Sequence, residues 1–202
     1  MNVCQQLIVG MKHYQKLKKK AGSQNVSMEL GRITAQSVRR TNMFIIVEGP
    51  DGAGKSTLID QLLKSYPGSV FMHFGKPETD EDAFNYWKVY AEAIESAKPE
   101  RVTILDRSWY SDLVYGPIFR GRCEMDLAHV KLLESYVLTH GGGMVIYCTA
   151  PLRTLWSRCC KRGETYVTSK ELLAKVSEAY DGVMGGICEL PVVRFDTNAK
   201  YY

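Results

Sequence analysis

Features that would mark a secreted, zinc-binding or membrane-spanning protein are missing from this sequence. Its six cysteines form no C-x-x-C pair and no zinc-type spacing, so we expect reduced thiols in a cytoplasmic protein. No apolar run approaches the roughly 20 residues that a transmembrane helix requires. The apolar run near the start, residues 4–10, is too short and too polar for a secretory signal. We therefore expect no membrane partner.

Acidic residues are nearly absent from the first 42 positions, where Glu29 stands alone against eight lysines and arginines. The rest of the chain is mildly acidic, although the formal net charge is +4. This composition predicts a basic N-terminal extension over residues 1–42, flexible by itself, and a functional domain over residues 43–202. The extension could also touch nucleic acid or another anionic surface.

The remaining sequence alternates between strand-like and helix-like segments and has enough apolar residues, 45%, for a sizeable core. Strands are predicted at residues 44–48, 70–74, 102–105, 144–148 and 192–195. Helices are predicted at residues 55–65, 81–97, 126–139, 151–160 and 169–184. Such alternation predicts a three-layer α/β/α fold, with a five-stranded parallel sheet covered by helices on both faces.

A phosphate-binding loop follows the first predicted strand. Residues 49–56 match G-x-x-x-x-G-K-[ST], with a strand before them and a helix after them. Glycines let backbone N–H groups surround a phosphate, Lys55 adds a charge for the terminal phosphates, and Ser56 offers a hydroxyl to Mg²⁺. An ordinary strand-to-helix turn would not need every position of this motif. The expected phosphate contacts come from Gly49, Gly52, Ala53, Gly54, Lys55, Ser56 and Thr57.

A second landmark is the pair Asp106 and Arg107, which ends the third predicted strand. Ligands bind at this edge of an open α/β sheet, where the phosphate loop also lies. We therefore expect Asp106 to hold Mg²⁺ together with Ser56, and Arg107 to direct its planar guanidinium at a phosphate. The alternative is that Asp106 only caps the next helix.

Basic residues crowd the end of the helix predicted over residues 151–160, where Arg158, Lys161 and Arg162 precede Gly163. Cations at a helix C-terminus are favoured by the helix dipole alone. They could also form a mobile lid that neutralises charge on a polyphosphate. Spacing leaves the two interpretations open.

The segments 48–57, 75–78, 106–107, 161–164 and 195–197 together resemble the thymidylate kinases. The likeness is closest to the deoxynucleoside monophosphate kinases of bacteriophages, and it runs in order over residues 43–197. It implies a P-loop nucleoside monophosphate kinase fold with a basic lid, ATP as phosphoryl donor, Mg²⁺, a role in nucleotide biosynthesis and a homodimer. The location would then be the host cytoplasm.

The resemblance also implies residue roles on the acceptor side. Asp51 matches a carboxylate that contacts the sugar 3′-hydroxyl, and Arg107 matches the arginine that grips the acceptor phosphate. Position Gly52 lacks the basic residue that some relatives have there, which assigns the catalytic cation to the lid, at Arg158 or Arg162. The remaining expected acceptor contacts are Lys76, Pro77, Ser111, Tyr115 and, for base stacking, Phe84 and Trp87. Core packing is the alternative for the last two.

Three functions remain in view. The first is ATP- and Mg²⁺-dependent phosphorylation of a deoxynucleoside monophosphate. That acceptor is dTMP first, with dGMP and others admitted because Gly116 and Pro117 stand where thymidylate kinases usually have Gln. The second is a polyphosphate kinase of family 2, which the segment 106–110 also resembles, although those enzymes usually lack the Ser and Thr that follow Lys55 here. The third is a non-catalytic nucleotide-binding module whose basic extension docks on nucleic acid; we otherwise expect small-molecule nucleotides as the partners.

Overall fold

The computed structural model describes residues 42–98, 100–163 and 166–199, so the basic extension predicted over residues 1–42 lies almost wholly outside the described residues. The strands are β1 Met43–Glu48, β2 Val70–His73, β3 Val102–Asp106, β4 Gly143–Thr149 and β5 Val192–Asp196. The helices are α1 Lys55–Ser65, α2 Asp80–Glu95, α3 Trp109–Tyr115, α4 Leu127–Thr139, α5 Leu152–Arg162 and α6 Lys170–Gly186. One π-helical turn, Gly116–Arg120, follows α3 directly.

The five strands form one sheet in the order β2-β3-β1-β4-β5, and every pair is parallel. β1 lies in the centre. The register pairs Val47 with Asp106 and His73 with the same Asp106. The carboxyl ends of β1, β2 and β3 therefore meet at one edge, where the loop after β1 begins. The predicted three-layer α/β fold is confirmed.

The central strand is buried on both faces, as a parallel strand between two helical layers must be. Phe44, Ile45, Ile46 and Val47 are each at most 1% exposed. Each such side chain contributes about 1.5–3 kcal/mol through removal from water. The loop that follows β1 therefore starts from a fixed point in the core.

The predicted helices and strands are all present, and most boundaries differ by one or two residues. Two helices, α4 and α6, start one residue after the predicted position because a polar side chain caps each of them. Asp126 accepts a hydrogen bond from the backbone of His129, and Ser169 accepts one from Leu172. Thr79 forms a capping box with Asp82 before α2.

One helix has no counterpart in the sequence prediction. All but one of the residues of α3 are buried, including Trp109 and Tyr110 at 0% exposure. A helix buried all round shows no amphipathic period, so the pattern that reveals surface helices is missing. This helix carries Ser111 and Tyr115, two of the expected acceptor contacts.

No helix among the described residues combines the length and the apolar character that crossing a membrane requires. In the same part of the chain, all five cysteines are free thiols, at positions Cys123, Cys148, Cys159, Cys160 and Cys188. The expected absence of disulfides therefore holds for those five.

Candidate active site

The loop after β1 adopts backbone angles that only glycine accepts readily. Gly49, Gly52 and Gly54 have φ values of 143°, 76° and 82°. Space is also short, because a Cβ on Gly49 would lie 2.3 Å from the carbonyl oxygen of Cys148. Gly54 is the N-cap residue of α1, and no side chain caps this helix end. The free N–H groups at the start of α1 are thus available to an anion.

Lys55 lies folded back over this loop. Its Nζ donates hydrogen bonds to the carbonyl oxygens of Gly49 at 2.7 Å and Pro50 at 3.0 Å. Burial, and after it the nearby charge of Arg107, lowers the pKa of Lys55 to about 8. An ammonium held only by two carbonyls in a buried position is poised to exchange them for phosphate oxygens.

Arg107 connects the phosphate loop to the acceptor side. Its Nη2 donates to Asp51 at 2.7 Å, and its Nη1 donates to the hydroxyl of Tyr180 at 3.3 Å. Its guanidinium carbon lies 5.0 Å from the centroid of the Tyr115 ring, whose hydroxyl also donates to Asp51 at 2.8 Å. Arg107 has φ 68°, a strained value for a residue with a side chain. The strain is consistent with a side chain that is aimed for function.

Asp51 thereby lies where two donors hold it. Without Arg107 and Tyr115, a carboxylate inside a loop that binds phosphate would repel the ligand. Both contacts tie Asp51 to Arg107 and Tyr115, and its expected contact with a sugar hydroxyl stays a prediction.

Glu48, the last residue of β1, is a central element of the site that sequence reasoning missed. It is 0% exposed and accepts hydrogen bonds from Ser108 and Ser111, each at 2.8 Å, and from Tyr180 at 3.0 Å. Burial raises its pKa, while Arg107 and the two serines act in the opposite direction. Tyr180 comes from α6, far along the chain, so no local motif links it to Glu48.

Asp106 has the properties expected of a metal ligand. Its Oδ2 bonds with Nδ1 of His73 at 2.8 Å, and its Oδ1 is buried with no hydrogen-bond partner in the part of the chain that the structure describes. Ser56, at the start of α1, carries a hydroxyl group and lines the same small cavity as Asp106. An orphaned carboxylate oxygen and a hydroxyl suit Mg²⁺, which takes few protein ligands and completes its shell with phosphate and water. No group of three or more His, Cys, Asp or Glu able to hold a metal occurs within the described ranges.

The two candidate lid arginines differ in their surroundings. Arg158 is tied to the loop and to the segment after β5, because Nη1 donates to the oxygen of Gly52 at 3.1 Å and to Oγ1 of Thr197 at 2.8 Å. Its Nη2 donates to the Thr197 carbonyl at 3.2 Å. Arg162 lines the cavity over the phosphate loop. The geometry thus gives Arg162 access to a bound phosphate and Arg158 a contact that supports the loop.

Two cavities meet at the carboxyl edge of the sheet. The phosphate cavity has a volume of about 120 Å³ and is formed by the loop residues from Asp51 to Ser56 with His73, Asp106, Arg107 and Arg162. The acceptor cavity has a volume of about 310 Å³. Asp51, His73 and Arg107 line both cavities. A group passing from one ligand to the other would cross at these three residues.

Aromatic and apolar side chains form the walls of the acceptor cavity. Tyr115 stacks on Phe119 with centroids 5.6 Å apart, and Phe119 stacks on Tyr166 at 4.4 Å. Lys76 lies over the Tyr166 ring, 5.5 Å from its centroid. Phe74 and Pro77 line the cavity as well. These walls suit a planar ring system, which the phosphate cavity does not.

The structure brings most of the predicted acceptor residues together, since Asp51, Lys76, Pro77, Arg107, Ser111 and Tyr115 all line the acceptor cavity. It does not bring Phe84 and Trp87 there. Phe84 is 63% exposed, and Trp87 stacks on His129 of α4 with centroids 5.0 Å apart. Helical spacing placed Trp87 on the side of α2 that contacts other elements, although it could not tell which element would cover it, and it was wrong for Phe84. The cavity is also lined by residues to which the sequence assigned no role, among them His73, Phe74, Tyr90, Asp112 and Tyr166.

With this geometry established, comparison with known proteins identifies the family. The family model named Polyphosphate kinase 2 (PPK2) matches residues 12–147, which is more than half of the chain. The chain belongs to the polyphosphate kinase 2 family. The prediction of a P-loop kinase is thereby confirmed, and the family is the one named second in the sequence interpretation. A search of curated proteins by sequence returns no match.

Solved structures agree with this member of the polyphosphate kinase 2 family in fold. The YorR protein of Bacillus subtilis, solved in complex with phosphorylated GDP, is 24% identical with a TM-score of 0.61, over 77% of this chain and 86% of that one. The deoxyadenosine kinase of M. mycoides with bound dATP is 19% identical with a TM-score of 0.54, over 79% and 93%. Polyphosphate kinase 2 of Arthrobacter aurescens TC1 is 18% identical with a TM-score of 0.56, over 79% of this chain and 62% of that one.

The finer prediction of a thymidylate kinase from a bacteriophage gains no support from these findings. The family match favours the polyphosphate kinase interpretation. At these identities, the solved structures establish the fold and leave the substrates open.

Proposed function

We propose that this protein transfers a phosphoryl group between polyphosphate, held in the phosphate cavity, and a nucleotide held in the acceptor cavity. The observation that carries the proposal is the contrast between two joined cavities. One is small, polar and built around phosphate-binding amides, and the other is larger and walled by aromatic rings. Membership of the polyphosphate kinase 2 family supports polyphosphate as the donor.

Each residue then has a chemical task. The N–H groups at the start of α1 and the ammonium of Lys55 hold the terminal phosphates of the donor. Arg107, fixed by Asp51 and Tyr180, lies between the donor and acceptor phosphates and neutralises charge as the phosphoryl group moves. The acceptor phosphate is already an anionic nucleophile, so no general base is needed. Alignment and charge neutralisation account for the catalysis.

The residues that would hold Mg²⁺ are Asp106, through its unpartnered Oδ1, and Ser56. When bound, the ion neutralises phosphate charge and helps to align the donor. Arg162 supplies a further positive charge from the end of α5. Arg158 keeps the loop in place through its bond to Gly52.

A second candidate function is ATP-dependent phosphorylation of a deoxynucleoside monophosphate, with dTMP or dGMP as acceptor. Two observations favour it. Ser56 and Thr57 follow Lys55, as in nucleotide-dependent P-loop kinases. Asp51 faces the acceptor side, where a carboxylate can accept a hydrogen bond from a sugar hydroxyl.

The deciding experiment crosses two donors, polyphosphate and ATP, with all nucleoside and deoxynucleoside mono- and diphosphates, and separates the products by chromatography. We expect product with polyphosphate as donor, and we expect Lys55→Ala to lower the rate at least 100-fold. The Lys55→Ala protein, purified in parallel, also controls for contaminating kinases. Product with ATP alone would establish the second function instead. No product from either donor would overturn both.

A further inference from the structure

The acceptor cavity holds a charged pair that the proposed phosphoryl transfer does not use. Asp112 of α3 and Arg120 of the π-helical turn both line the cavity, and Nη2 of Arg120 lies 3.7 Å from Oδ1 of Asp112. Their side chains are only 12% and 16% exposed. Two buried charges beside aromatic walls are costly unless a partner completes their hydrogen bonds.

The hydrogen bonds of this pair are incomplete. Oδ2 of Asp112 accepts a bond from the hydroxyl of Tyr90 at 2.8 Å, which leaves Oδ1 with only the distant Arg120. Nε of Arg120 is buried and has no hydrogen-bond partner among the described residues. The pair therefore offers one acceptor, on Asp112, and several donors, on Arg120, to a ligand in the cavity.

The backbone makes room for this arginine. A Cβ on Gly116 would lie 3.1 Å from Nη2 of Arg120, so the guanidinium passes close over a residue with no side chain. Gly116 also begins the π-helical turn, a local widening of the helix that often re-aims a side chain at a functional site. Gly116 stands where thymidylate kinases usually have Gln. Its missing side chain therefore leaves the space that Arg120 occupies.

We propose that Asp112 and Arg120 read the base of the acceptor nucleotide, and that they select bases which present two adjacent acceptors followed by a donor. Guanine has this pattern in N7, O6 and N1–H, and cytosine has it in O2, N3 and the N4 amino group. Arg120 would fork onto the two acceptors, and Oδ1 of Asp112 would accept from the donor. Thymine lacks the pattern because a donor, N3–H, separates its two carbonyl acceptors. Adenine lacks it because its 6-amino donor stands between N7 and N1, and the lone pairs of N1 and N3 diverge too widely to share one guanidinium.

This inference rests on the proposed function for the identity of the ligand as an acceptor nucleotide. Base recognition itself can be measured as binding, without turnover. The first measurement is equilibrium binding of GMP, CMP, AMP and dTMP to the full chain by calorimetry. We expect GMP or CMP to bind about tenfold to a hundredfold more tightly than AMP and dTMP, the range that one well-made bidentate contact supplies. All four ligands carry the same 5′-phosphate, and GMP, CMP and AMP also share the same ribose, so the differences among these three report the base alone.

Three variants connect the preference to the pair. Arg120→Met and Asp112→Asn should each reduce the preference to within about threefold. Arg122→Met is the matched control, because Arg122 is a half-exposed arginine two residues away that pairs with Glu124 at 2.6 Å. It should keep the wild-type preference. Binding of tripolyphosphate to the phosphate cavity should be unchanged in all three variants, which shows that the fold survives.

The binding affinities of GMP and CMP for the wild-type protein show which of the two bases is preferred. If GMP is preferred, 7-deaza-GMP, which lacks N7, should bind about tenfold more weakly; if CMP is preferred, the analogue without the 4-amino group should do so. Equal binding of all four nucleotides, or a preference that survives Arg120→Met, would overturn the inference. Selective binding without transfer would overturn the proposed function and leave this inference intact.

Discussion

At the scale of single residues, the site is defined by charged groups that hold one another rather than by isolated catalytic side chains. Arg107 donates a hydrogen bond to Asp51, and Ser108 and Ser111 both donate hydrogen bonds to the buried Glu48. The sequence identified Asp51, Lys55 and Arg107 because they stand in motifs whose spacing is local. It could not identify Glu48 or Tyr180, because their contact depends on two residues 132 positions apart in the chain.

The buried carboxyl group of Glu48 should make the stability of the protein depend on pH. Burial raises its pKa in the folded protein above the usual value, so the unfolded chain loses this proton at a lower pH than the folded chain does. Stability should therefore fall as the pH rises from about 4.5 towards the pKa of the folded state and then stay constant. The loss is about 1.4 kcal/mol for each unit by which the pKa is raised.

Glu48→Gln removes this titration while keeping a hydrogen-bonding side chain of the same size. The free energy of unfolding, measured in urea between pH 4.5 and 8, should change with pH less in the variant than in the wild type. Equal pH dependence in the two proteins would contradict the assignment of the shift to Glu48.

At the scale of elements, the phosphate loop and α5 are packed so tightly that neither can shift alone. A Cβ on Gly52 would lie 2.5 Å from the carbonyl oxygen of Leu155 in α5, and Arg158 of the same helix bonds to the Gly52 carbonyl. The predicted boundaries of α5 and of the loop came from separate patterns. Their contact could not be predicted, since no local pattern records which helix covers the loop.

Gly52→Ala tests this packing. The left-handed backbone at Gly52 costs an alanine about 1 kcal/mol, and the collision with a backbone atom adds about 1–3 kcal/mol. Displacing α5 also moves Arg158 and Arg162, so we expect phosphoryl transfer to fall at least tenfold. Gly121→Ala is the control, because its φ of 68° imposes the first cost and no atom lies within 4 Å of the added Cβ. Equal destabilisation of the two variants in urea would show that the loop and α5 are not in close contact.

The helix α3 could not be predicted from the sequence. This helix is buried on nearly all sides, so its sequence shows no amphipathic period. A π-helical turn that contains Pro117 follows it directly. Both features arise from packing around the acceptor cavity. The aromatic residues of α2 led to the opposite outcome. Their clear helical period suggested base stacking by Phe84 and Trp87, whereas the aromatic residues that line the acceptor cavity include Tyr90 of the same helix, Tyr115 and Tyr166.

At the scale of the whole molecule, all five strands and both cavities are formed by residues after position 41. Asn42 belongs with them, since it is buried and its Oδ1 accepts a bond from Thr103 at 3.3 Å. The family match nevertheless begins at residue 12. The parallel order of the sheet could be predicted from the alternation of elements, whereas the contribution of the basic extension could not.

We expect a chain without residues 1–41 to transfer phosphoryl groups within about threefold of the full-length rate, because the sheet and both cavities remain. Steady-state rates with short polyphosphate, together with thermal melting, would test this. A rate lowered tenfold or more in a variant that still melts normally would mean that residues 12–41 belong to the catalytic unit. A full chain that binds single-stranded DNA and transfers nothing would favour the binding-module interpretation.

The burial of Glu48 has a further consequence for how such an enzyme can diversify. Because this buried carboxylate ties β1, α3 and α6 together, the core itself sets the spacing between the two proposed phosphate sites. The pair Asp112 and Arg120 lines the acceptor cavity and shares none of these bonds. Substitutions that change the proposed base preference can therefore occur at this pair while the contacts of Glu48 stay the same.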